Sequence, residues 1–206
     1  MRLLLTIVVL LCASLISCVD DTPREMSKDD LVGYIQKEKN GLVKKQEVNG
    51  ITVSVSYFPW QMLVAQELDG QNKSDSALIK KLEKNYSGQY YFKAKFSKDG
   101  QEAIRRLGSF DRYSEMVQVL AFRMNDYINL TTPKRDTIEM ADYFFDQTYG
   151  MSDGNTLLLS FSKDKITGNK TIDINIGECG FGTGALKFTF ERDAIEATPK
   201  LVYTVI

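Results

Sequence analysis

Residues 51–57 alternate without a fault, Ile51, Val53, Val55 and Tyr57 on one side and Thr52, Ser54 and Ser56 on the other. This period of two predicts a strand with one buried and one wet face. Residues 42–48 precede it across Asn49-Gly50, a pair that accepts positive φ at both centres of a type I′ turn, so the two runs form a hairpin. A second alternation sets Tyr90, Phe92, Ala94 and Phe96 against Gln89, Tyr91, Lys93 and Lys95 and stops at Asp99-Gly100. It predicts another half-buried strand, on whose outer face Tyr91 is the most exposed aromatic.

Helical periods lie between these runs. Ser27, with Asp30 three residues on, can cap a helix carrying Leu31, Tyr34 and Ile35 and closing at Asn40-Gly41. Pro59 suits a first turn, and Trp60, Leu63, Val64, Glu67 and Leu68 follow at helical spacing, which makes Trp60 the head of a core stripe. Residues 74–84 give a further helix through Ala77, Leu78 and Leu82. Residues 113–127 fit either period, Met116, Val117, Leu120, Met124 and Tyr127 as a helix or Val117, Val119 and Ala121 as a strand; length favours the helix. Tyr143-Phe144-Phe145, with Tyr149 before Gly150, is read as buried, its type open.

The last third reads as β, through residues 156–161, 171–176, 186–190 and 201–206, with glycine- and asparagine-rich turns such as Thr167-Gly168-Asn169. Such turns predict antiparallel pairing rather than βαβ crossovers. The expected fold is therefore α+β, mainly antiparallel sheet with three or four helices and an all-β C-terminal third, in a single domain over residues 31–206.

The N-terminus has a different character. Met1-Arg2 precedes an apolar run, residues 3–16, broken only by Thr6 and Ser14 and followed at once by Asp20-Asp21. The run is shorter than the roughly 18 to 20 apolar residues that span a bilayer, so a cleaved signal is the expected reading. Leu15-Ile16-Ser17-Cys18 resembles a bacterial lipobox, which implies a signal peptide over residues 1–17 and lipidation of Cys18. Residues 18–30 then form a polar, lipidated tether. Three acyl chains, each contributing about 0.8 kcal/mol per buried CH2, would anchor the chain permanently. Asp20-Asp21 resembles the surface-export signal of Bacteroidota lipoproteins, and Asp75-Ser76-Ala77 and Asp136-Thr137-Ile138 resemble the O-glycosylation sequon of that phylum. The chain as a whole is similar to small Bacteroidota outer-membrane lipoproteins of uncharacterised function. The resemblance implies an outer-membrane location and transfers no active site.

Composition narrows the chemistry. With 26 Lys plus Arg, 27 Asp plus Glu and a net charge of -1, nothing draws the chain to nucleic acid. Without histidine there is no Ser-His-Asp or Cys-His nucleophile and no histidine-ligated metal. Of three cysteines, Cys12 leaves with the signal, Cys18 carries lipid, and Cys179 remains as a turn thiol without a base. The glycine-rich run 177–184 lacks the Lys-Ser or Lys-Thr of a P-loop and leads into a strand, so it reads as a bulged hairpin loop. Asp142 and Asp146 are the carboxylates that a helix would bring together as acid and base. Asp173 sits on the polar face of its strand. Asp153-Gly154-Asn155 and residues 164–169 offer scattered oxygens but no complete calcium loop, and both read as turns. No catalytic, cofactor or metal residue is assigned. The expected function is a lipid-anchored cell-envelope binding or accessory module, a partner of an outer-membrane transport, secretion or adhesion complex. Its other expected partners are envelope proteins or a glycan, and a carboxylate-pair hydrolase is the alternative.

Overall fold

The Ser27 hydroxyl accepts a hydrogen bond from the Asp30 amide and opens helix α1 (Lys28–Gln36), whose Leu31 and Ile35 are buried. This computed structural model describes residues 25–69, 75–166 and 168–203. The signal segment, Cys18 and most of the tether lie outside them. Residues 25–30 belong to the fold rather than to the tether: β1 (Glu25–Met26) pairs in parallel with β12 (Lys200–Leu201), and α1 follows directly.

The predicted hairpin forms as β2 (Val43–Val48) and β3 (Ile51–Phe58), with φ of 53° at Asn49 and 73° at Gly50. β3 pairs with β4 (Gln89–Lys98), which pairs with β9 (Asn155–Ser162) and, through it, with β8 (Asp142–Asp146). The short β5 (Gln101–Glu102) folds back on β4. A second antiparallel sheet has the order β11 (Leu186–Glu191), β10 (Thr171–Ile176), β6 (Ile128–Thr131), β7 (Thr137–Glu139). Its Phe190 ring lies 5.2 Å from that of Phe92 on β4, and Phe92 also meets Tyr57 at 5.8 Å and Phe161 at 6.4 Å. These fully or nearly fully buried rings join the two sheets in one core.

The ambiguous central segment is helix α4 (Phe110–Phe122), capped by Ser109, with Met116, Val119 and Leu120 buried. The Tyr143 hydroxyl accepts from the Met124 amide at 3.2 Å and ties this segment to β8. Helices α2 (Trp60–Glu67) and α3 (Ser76–Tyr86) pack on one another beside β4. The fold is α+β and mainly antiparallel as expected, with a fifth helix, α5 (Arg192–Glu196), interrupting the β-rich C-terminal third.

Several side chains sit elsewhere than the pattern predicted. Trp60 is half-buried at the rim of the core, while Met62, off the expected stripe, is buried. Tyr91 is buried, because α3 lies over the outer face of β4 there and brings Tyr86 to 6.3 Å, edge to face. Of Tyr143-Phe144-Phe145 and Tyr149 only Phe145 is buried: Phe144 is 64% exposed on the open side of an edge strand, and Tyr149, read as buried, is 65% exposed in the loop that follows.

Candidate functional site

The nine residues between β10 and β11 close a hairpin in which Ile176 faces Leu186. Gly180, Gly182 and Gly184 all have positive φ, and their amides converge as they would around a phosphate. They hold the protein's own anion: Glu178 accepts from Gly180 and Gly182 at 2.7 and 2.8 Å and from Gly184 at 2.6 Å. Desolvation pushes the Glu178 carboxyl up, but the backbone donors of residues 180, 182, 183 and 184 outweigh it and keep it below the usual range. The loop is stapled to the β2–β3 turn by Asn49, which donates to the Gly182 carbonyl at 2.6 Å, and Phe181 stacks on Phe96 at 5.0 Å.

Cys179 is the buried thiol of this loop, only 4% exposed. Burial, and then the Glu178 charge, push it up to about 12, so at neutral pH it is not a thiolate nucleophile. In a soluble form starting at Asp20 and carrying no Cys18, Cys179 is expected to resist iodoacetamide until urea unfolds the chain. Rapid alkylation of the folded form would contradict this placement.

Glu102 is 2% exposed. It accepts from the Thr148 hydroxyl, from the Gly150 amide at 2.6 Å and from Arg105 Nε at 3.2 Å. Burial raises its carboxyl; the Thr148, Gly150 and Arg105 donors more than offset that and hold it below the usual carboxylate range. Nearby, the side-chain Oδ1 of the buried Asn155 accepts from the Ile104 amide at 3.0 Å. Together they fix the loop of residues 147–154 against the segment 102–106.

That clamp presents an apolar surface. Phe110 at the start of α4 is 78% exposed, and Tyr149 and Met151 in the clamped loop are 65% and 85% exposed. Phe110 stacks on Tyr113 at 6.4 Å, Arg105 lies 5.8 Å over the Tyr113 ring, and Gly150 approaches so closely that a Cβ there would sit 2.5 Å from Arg105 Nε. A shallow cavity of about 550 Å³ opens between Arg105, Gly108, Phe110 and Tyr113. Arg106 and Arg112, neighbours in sequence of the lining residues, are exposed, and Arg112 donates to the Gly180 carbonyl at 3.3 Å.

The open face of the larger sheet carries a second concavity, of about 420 Å³, lined by lysines and hydroxyls of β3, β4 and β9.

The remaining predicted candidates are dispersed. Asp142 and Asp146 lie on a strand, not a helix, and both are exposed; four residues along a strand separates them by about 13 Å, too far to share a proton. Asp173 accepts from Thr189 at 2.6 Å and pairs with Lys187 at 2.6 Å across the β10–β11 pair. Asp153 pairs with Lys95 at 2.7 Å, and Asn169 donates to the Ile166 carbonyl at 3.2 Å, both in turns. Asp75 caps α3 through the amides of Ala77 and Leu78, and Thr137 is exposed on β7. Among the described residues no group of three or more acids or cysteines could hold a metal ion, and no helix is long and apolar enough to cross a membrane.

Sequence reasoning missed the Glu102 clamp and the Phe110 surface. Phe110 lies outside the Met116–Leu120 stripe at the first position after a Ser109 cap, and that off-stripe placement is the one signal that could have marked it.

No protein family and no curated protein matches the chain. A solved structure, a DUF4426 family protein from Pseudomonas aeruginosa PAO1, is similar in outline at 12% identity, with a TM-score of 0.36, covering 72% of this chain and 91% of that one.

Proposed function

We propose that the chain is a lipid-anchored binding or accessory module of the bacterial cell envelope. Cys18 holds it to the outer membrane, and it docks a protein of a transport, secretion or adhesion complex. The observation that carries the reading is the exposed Phe110 on the Arg105–Tyr113 cavity, with Tyr149 and Met151 exposed on the loop whose Gly150 lies against Arg105. Exposed aromatic, methionine and arginine side chains around a cavity are the composition of an interface hot spot. The cavity and the exposed Arg106 next to it in sequence favour a partner surface that inserts an apolar side chain and carries carboxylates around it. The hydrolase alternative would need converging acids, and Asp142 and Asp146 do not converge.

Two variants test this together. Cys18→Ala is expected to abolish lipid labelling and release the protein from membrane fractions. Phe110→Ala, at an exposed position, should leave the melting temperature within about 1 °C, since surface changes stay within about 0.5 kcal/mol. It should nonetheless cut retention of the co-purifying envelope protein by about tenfold or more. Undiminished labelling of Cys18→Ala would remove the anchor from the account. Undiminished co-purification with Phe110→Ala would remove the docking face.

A further inference from the structure

The cross-strand register assembles the groove on the open face of the larger sheet. Ser54 of β3 stands opposite Lys95 of β4, which stands opposite Thr156 of β9, itself opposite Asp146 of β8. The next row on the same face runs Ser56, Lys93, Leu158, Phe144, of which Ser56 and Lys93 line the groove while the exposed Phe144 flanks it. Directly opposed Cβ atoms in such rows are about 5 Å apart, so each row is a continuous surface. α1 borders the groove through Gln36.

Two features of this surface are unspent. Thr52, Ser54, Ser56, Ser97 and Thr156 line it, and among the described residues none of their hydroxyls has an intramolecular hydrogen bond. Lys93 is half-buried with its ammonium 4.2 Å above the Phe58 ring, and among the described residues no carboxylate lies within 4.0 Å of it. Lys95 and Lys45, by contrast, are paired with Asp153 at 2.7 Å and Glu38 at 3.9 Å. Burial pulls Lys93 below the usual lysine range, Asp146 partly opposes this, and Lys28 adds repulsion. A partly desolvated ammonium without an anionic partner is costly, and an incoming carboxylate relieves that cost.

We infer that this groove binds an acidic saccharide, its carboxylate on Lys93, its hydroxyls on the Ser54–Ser56 row and a sugar face against Phe144. Hydroxyl side chains both donate and accept, which matches a polyol better than a peptide backbone or a phosphate. Phosphate sites commonly add arginine forks, helix N-termini or glycine amides to their lysines. None of these additions lines the groove, and the glycine amides of residues 180–184 are already occupied by Glu178. Asp146 accepts from a sugar hydroxyl at the far end. The site lies on other elements than the Phe110 surface, so the two stand or fall separately.

Calorimetric titration of the full lipidated chain in mild detergent tests the inference. The probes are tri-galacturonate, a glucuronate-containing trisaccharide and N-acetylneuraminic acid, with the carboxyl-reduced neutral counterpart of the first and inorganic phosphate as controls. At least one acidic saccharide should bind about tenfold or more tightly than the neutral counterpart and phosphate, and weaken as salt is raised. Lys93→Met should lose about tenfold of that affinity, Ser54→Ala with Ser56→Ala a comparable factor, and Lys93→Arg should restore part of it. Phe110→Ala should bind as the wild type does. No binding of any of the three acids, equal binding of the neutral trisaccharide or of phosphate, or full affinity in a folded Lys93→Met variant would each overturn it.

Discussion

Phe92→Ala is expected to be the most destabilising single truncation in the chain, costing about 3–5 kcal/mol as the loss of a fully buried aromatic. The ring is 0% exposed and is shared by three others, Tyr57 and Phe161 on its own sheet and Phe190 on the facing one. Its removal therefore leaves a cavity at the seam between sheets, lined by neighbours that β-pairing prevents from closing in. For a domain of this size the melting temperature should fall by about 10 °C or more. Phe92→Leu, which refills most of the volume, should cost well under half as much. Trp60→Ala should cost less than Phe92→Ala, since Trp60 is only half-buried. A Phe92→Ala protein that melts within a few degrees of wild type would mean that the two sheets do not share this core.

Glu102→Ala should be the next largest, at about 3 kcal/mol, because it strips the acceptor from several donors at once. The Thr148 hydroxyl, the Gly150 amide and Arg105 Nε all converge on this one carboxylate, which is 2% exposed. Glu102→Gln keeps an acceptor oxygen but turns an amide group toward Arg105, and should lose about half as much. The sign of the pH dependence follows from the direction of the shift. A carboxyl held below its ordinary 4.5 in the folded chain contributes stability that is fully present above about 4.5 and is lost as pH falls through the lowered value. Glu178, lowered by the glycine-loop amides, acts in the same sense. Wild type should thus lose stability on acidification more steeply than Glu102→Gln, measured by denaturant titration at neutral pH and at pH 3. Parallel losses in the two proteins would show that Glu102 is not an ionised clamp. Because this carboxylate also fixes the loop bearing Tyr149 and Met151, Glu102→Ala should weaken partner retention as well as stability.

The elements governed by local rules were legible in the sequence. Asn49-Gly50 specified its turn, the Ile51–Tyr57 and Tyr90–Phe96 alternations specified their strands and inward faces, and Ser27 specified a cap, because each depends on neighbours within a few residues. What depended on distant pairing was not legible. The parallel pairing of Glu25 with Lys200 spans most of the chain, Tyr91 is buried only because α3 settles over it, and Asp142 and Asp146 part company because their segment joins β9 rather than coiling. Both candidate surfaces are of this kind. Lys93 was readable as outward-facing, but its opposition to Ser56 and Leu158 exists only once three strands are in register. The loop bearing Tyr149 and Met151 comes beside Arg105 only through the Glu102 clamp. The chemistry of residues 177–184 was legible in part: the run reads as a loop joining two strands, and Glu178 proves to be the anion that its amides hold.

The most direct measurement is site-specific photo-crosslinking in cells producing the full chain, with a benzophenone amino acid at position 110 and, as a control, at Val32, which is exposed on α1. The account predicts one discrete adduct with an envelope protein from position 110, absent from position 32 and lost when Met151 is changed to Lys. No adduct from position 110, or the same adducts from both positions, would contradict a docking function for this face.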